Sequence, residues 1–70
     1  KSSMTPVILR DGSVIRVEPV IRFNADKFEF RQEVTVDGKP MIWRAVTHRS
    51  TKKIDGRRAY RLVWDQLIPK

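Results

Sequence analysis

Seven basic side chains fall within the 18 residues from Arg44 to Arg61. They are Arg44, Arg49, Lys52, Lys53, Arg57, Arg58 and Arg61, with Asp55 the only acid among them. Cations at this density repel one another and cost folding stability unless salt or an anionic partner neutralises them. A phosphate backbone is the commonest such partner, because each Lys or Arg that meets a phosphate releases a condensed counterion. Arginine outnumbers lysine nine to six over the chain, and its planar fork suits phosphates and guanine edges better than an ammonium does. Trp43 precedes Arg44, and Tyr60 stands between Arg58 and Arg61, so aromatic faces on which bases stack interleave with the charge. Core packing competes for the same rings. Trp64 is read as interior, while Trp43 and Tyr60 divide between core and ligand. The plain alternative for the basic segment is a solvated loop with no partner.

The rest of the chain sharpens the contrast. Residues 1–43 carry seven Lys or Arg against six Asp or Glu, so six of the seven net positive charges of this 70-residue chain lie between Arg44 and Arg61.

Catalytic chemistry finds little to work with. There is no cysteine, and His48 is the only histidine. No disulfide framework, Cys/His zinc site or activated thiol can therefore be written. His48 with Arg44, Arg49 and Tyr60 is the one set from which a metal-free ribonuclease centre could be assembled. It lacks an orienting group, and His48 reads as a surface residue at a strand end. Asp11, Asp37 and Asp55 each precede a glycine and Asp26 lies in a polar loop, positions where Asp is favoured for backbone reasons. The three glycines are isolated in turns and form no phosphate-binding loop. The expectation is a non-enzymatic module without metal, cofactor or small-molecule substrate. Its expected partner is DNA or RNA, with DNA favoured. A protein-interaction or dimerisation module, using an exposed strand edge and the basic arm, is the alternative.

The elements that must carry these residues are strands. Apolar residues recur at every second position, with turn dipeptides between the runs. Val7–Arg10 is a first strand, ended by Asp11-Gly12. Val14–Phe23 is a second, with Ile15, Val17, Ile21 and Phe23 on one face and Pro19 bending it or marking an edge. In a third, Phe28, Phe30, Val34 and Val36 share the inner face and Glu29, Arg31, Glu33 and Thr35 the wet one. Met41–Thr47 follows Asp37-Gly38 as a fourth, apolar on both faces. His48–Arg58 reads as a long basic hairpin arm or loop with a third Asp-Gly. Ala59–Trp64 is the fifth strand, with Tyr60, Leu62 and Trp64 pointing one way, and Asp65–Pro69 closes as a short helical turn. A helix over Arg57–Leu67 is the competing local reading.

Five short strands predict an all-β domain: a small five-stranded antiparallel barrel or rolled sheet of the SH3-like or OB-like kind. Residues 1–5 are expected to be a disordered tail and 6–70 the single domain. The chain opens on Lys1 rather than Met, which suggests either a portion of a longer protein or a natural start at Met4. No apolar run approaches the roughly 20 residues of a membrane helix, and nothing resembles a signal peptide. With no cysteine, a cytoplasmic setting is expected. The residues carry no chromodomain aromatic cage, cold-shock aromatic motif or RNA-recognition signature.

Overall fold

Asp37-Gly38 and Asp55-Gly56 adopt the same tight reversal. The Asp residues have φ of 52° and the glycines 77°, the paired positive angles that match the twist of a β-hairpin and that glycine accepts without a Cβ clash. The computed structural model describes residues 4–70, and those two turns join its three longest strands. Six strands form: β1 (Thr5–Ile8), β2 (Val14–Val17), β3 (Ile21–Asn24), β4 (Lys27–Val36), β5 (Lys39–Ile54) and β6 (Arg57–Pro69). They make one sheet in the order β2-β1-β6-β5-β4-β3. Four neighbouring pairs are antiparallel, and β1 runs parallel to β6 through Val7↔Tyr60 and Ile8↔Arg61.

Several expectations are corrected. The sheet is mixed and has six strands, not five antiparallel ones. The single strand expected over Val14–Phe23 is two strands at opposite edges of the sheet, divided at Glu18-Pro19-Val20. Proline there has no N–H for a ladder, which ends β2. Of the two readings of His48–Arg58, the hairpin arm is the one that forms and the loop is not: β5 continues to Ile54, and β6 begins at Arg57. Neither the helix over Arg57–Leu67 nor the closing helical turn forms, because β6 stays paired to β5 as far as Met41↔Pro69. The tail expected over residues 1–5 lies outside the described residues for 1–3, while Thr5 stands in β1 and the Met4 carbonyl accepts a hydrogen bond from Arg57 Nη1.

The sheet is rolled. Only three residues connect Val17 to Ile21, so the two edge strands come within about 14 Å at that end. A flat six-stranded sheet would hold them roughly 24 Å apart. β5 bends as well, because 16 straight strand residues would run for roughly 50 Å, while the molecule's longest dimension is 36 Å. Irregularities in the β5–β6 ladder at Val46/Thr47 and Arg49/Lys53 supply the bend. No ladder joins β2 to β3 among the described residues, so the sheet is open.

The inner face holds the core: Val7, Val17, Phe28, Phe30, Ala45, Tyr60 and Leu62, with Leu9, Ile15 and Trp43 packed against it. Phe28 meets Tyr60 edge to face at 4.7 Å, and Phe30 meets Trp43 at 5.2 Å, a geometry that adds to what burial alone contributes. Ile21, Phe23 and Val36, expected inside, are exposed. Ile21 pairs with Glu29 on the outer face, and Phe23 sits where the β3–β4 register shifts.

Candidate nucleic-acid interface

Strand register decides which face each basic residue occupies. On β5, residues 41, 43, 45 and 47 face inward and 42, 44, 46 and 48 outward, as their partners on β4 require. On β6 the pairs Arg49↔Tyr60 and His48↔Arg61 keep Tyr60 and Leu62 inside and Arg61 outside. The ladder then passes from Thr47↔Leu62 to Val46↔Trp64, leaving Val63 as an extra residue. One extra residue exchanges the faces of everything beyond it. Trp64 therefore turns outward and is 42% exposed, which corrects its assignment to the core.

The three aromatic candidates are thereby redistributed. Tyr60 is buried, and its hydroxyl donates to the Ala25 carbonyl at 3.3 Å. Trp43 faces the core edge and donates its indole N–H to Asp65 at 2.9 Å. Trp64, not among the candidates, shares the outer face with Arg44 and Arg61. Its alternation with Tyr60 and Leu62 looks like that of a core residue, and nothing in the sequence marks Val63 as a bulge.

The basic residues divide by what already holds them. Arg44 lies with its guanidinium 5.2 Å from the Trp64 ring centre and its Nη1 3.5 Å from Gln66. On the same face the Glu29 side chain is only 3% exposed. Arg31 donates to it at 2.9 Å, and Arg44 adds its charge from 3.2 Å without hydrogen-bond alignment. Arg49 is ion-paired to Asp26 at 3.1 Å, and its backbone N–H donates to the Asp26 carbonyl. Arg57 and Arg58 donate to the carbonyls of Met4 and Ser50. Lys52, Lys53 and Arg61 are exposed, and their side chains make no hydrogen bond or ion pair among the described residues.

The arm does not project freely. Asp55 at its tip is ion-paired to Arg16 of β2, and Ile54, Asp55 and Arg57 line a shallow groove with Met4, Pro6 and Arg16. His48 is exposed, with Nδ1 beside the Arg49 carbonyl, and neither Arg44 nor Arg49 makes a hydrogen bond to its ring. Among the described residues no group of three or more His, Asp or Glu is arranged to hold a metal ion.

Two carboxyls titrate below their ordinary range. The Trp43 indole N–H, then Arg10, holds Asp65 down against the opposing effect of burial. The Ser13 hydroxyl and backbone N–H do the same for Asp11 within its turn. Both shifts come from hydrogen bonds to the charged form.

No protein-family model, curated protein or solved structure matches this chain.

Proposed function

We propose that the chain is a non-catalytic nucleic-acid-binding module, DNA favoured, that meets phosphates through the basic segment 44–61. The observation that carries this reading is the set Lys52, Lys53 and Arg61. They are three exposed cations whose side chains have no partner among the described residues, in a segment whose net charge is +6. Cations left unpaired while the acids of the same surface are already engaged raise the local potential, and a polyanion relieves it. The finer assignment of the rolled sheet to SH3-like or OB-like barrels belongs to this proposal too, since such small curved sheets carry ligands on their exposed strands.

The test neutralises Lys52, Lys53 and Arg61 together as Gln, leaving Arg57 and Arg58 to their backbone contacts. If each meets one phosphate, the slope of log affinity against log salt becomes shallower by about 2.7 for duplex DNA or about 2.1 for a single strand. A slope unchanged on both overturns the reading.

A second reading, a protein-interaction or dimerisation module, is supported by β3. It is an edge strand with all four residues exposed, among them Ile21 and Phe23, and Val20 beside them is 54% exposed. An unprotected apolar edge is a template for pairing with another strand. Light scattering that gives twice the chain mass, insensitive to salt, would favour it.

A further inference from the structure

The geometry points to the outer face around Trp64 as a stacking platform for an unpaired base, which makes single-stranded nucleic acid the preferred ligand. This rests on the nucleic-acid reading above and narrows it. Three cross-strand pairs form a small grid on that face: Arg44↔Gln66, Val46↔Trp64 and His48↔Arg61. Trp64 occupies the middle row, with Arg44 in the row on one side of it and His48 and Arg61 in the row on the other. Rows two residues apart along a strand are separated by roughly 6.6 Å. Arg44 holds the indole from 5.2 Å, and the residue keeps 42% of its surface open. Phosphates on either side of a stacked base thus find a cation in each flanking row, with Arg61, whose side chain has no partner among the described residues, the most available.

The same geometry disfavours reading a duplex with this face. In a duplex the π-faces of the bases are closed off by their neighbours, so an aromatic ring on a sheet surface has nothing to stack on. A strand with unpaired bases offers a face at every residue, whatever the base. Insertion of the arm into a groove is disfavoured as well, since the Arg16–Asp55 ion pair and the Arg57–Met4 hydrogen bond tie its tip to β2 and to the chain before β1.

The probes are a 15-nucleotide oligo(dT), the corresponding oligo(U) and a 15-base-pair mixed-sequence duplex. Each is titrated into the 15N-labelled chain and into Trp64→Ala and Trp64→Leu. The two indole N–H signals are assigned by loss of one in the variants. Oligo(dT) is expected to shift the Trp64 signal and leave that of Trp43, whose N–H is held by Asp65. Both substitutions are expected to weaken single-strand binding by about 5- to 150-fold, the range that stacking of one base supplies, and duplex binding by less than about twofold on the same scale. Trp64→Leu keeps an apolar side chain at the position, so a loss shared by both variants with unchanged backbone spectra belongs to the ring. The same dependence with oligo(U) supports the inference and extends the ligand to RNA. Single-strand affinity unchanged in both variants, or a duplex bound more tightly with an equal Trp64 shift, overturns the platform while leaving the module reading intact. No binding to any probe at low salt overturns both.

Discussion

In a Glu29→Gln variant the carboxylate beneath Arg31 and Arg44 becomes a neutral amide of the same shape, and stability and affinity are expected to move in opposite directions. The Glu29 side chain is 3% exposed, while those of Arg31 and Arg44 are 49% and 36% exposed. Removing one partner of a fully buried pair costs about 3–5 kcal/mol. Here solvent screens the two arginines, so about 1–2 kcal/mol is expected. Against a total of roughly 3.5–10 kcal/mol for 70 residues, that is a sizeable fraction. With a urea slope near 1 kcal/mol/M, the midpoint falls by about 1–2 M. Binding to oligo(dT) is expected to tighten at low salt, because both arginines are released from the carboxylate that holds them. If Arg31 then meets a phosphate beside the one that Arg44 already meets, the single-strand salt slope steepens by about 0.7. Urea unfolding followed by tryptophan fluorescence measures the first effect, and titrations between 50 and 200 mM salt measure the second. An unchanged midpoint would refute the role given to the buried carboxylate. A lower midpoint with weaker or salt-indifferent binding would show that the outer face is not where the strand lies.

Three further outcomes follow from the fold. Phe28→Ala empties a fully buried site against Tyr60 and should cost about 3–5 kcal/mol, enough to leave much of the chain unfolded; a loss below about 1 kcal/mol in urea would contradict the core described. Because the Asp65 carboxyl is held below its ordinary value of 3.8 in the folded chain, its contribution is complete above that pH and lost as pH falls through the folded value. Trp43→Phe removes the larger cause and should flatten the decline in urea midpoint between pH 5 and 2.5, with the Arg10 hold on Asp65 and the Asp11 turn supplying what remains; an identical decline in both proteins would count against the hydrogen bond. Gly56→Ala meets no atom within 4 Å but must hold φ at 77°, a backbone cost of about 1 kcal/mol that should appear as faster amide exchange near the arm's tip, and unchanged exchange there would argue against the turn.

Much of the architecture was legible because it rests on local rules. The Asp-Gly turns at 37–38 and 55–56 need positive φ, and the alternation of Phe28 and Phe30 against Glu29 and Arg31 needs one wet face. The basic segment was visible as a count. Two features had no local signal. The partition of Val14–Phe23 into strands at opposite edges depends on which distant strands accept them: Val17 pairs with Thr5, whereas Ile21 pairs with Glu29. The outward turn of Trp64 depends on Val63 having no counterpart on β5, a property of the ladder and not of Val63 itself. The sequence left 48–58 open between a hairpin arm and a loop for a third reason. Polar residues predominate there because both strands are solvated, and polarity alone does not separate a wet hairpin from a loop.

The parallel seam between β1 and β6 also fixes where the chain can be handled. It places Met4 beside Arg57, at the same pole as Lys52 and Lys53, whereas the backbone N–H of Lys70 is 3.4 Å from the Pro40 carbonyl at the far end of β5 and β6. An affinity tag, fluorophore or surface tether joined before Met4 therefore crowds the cationic pole. One joined after Lys70 leaves that pole open, so immobilised measurements are best anchored through the C-terminal side.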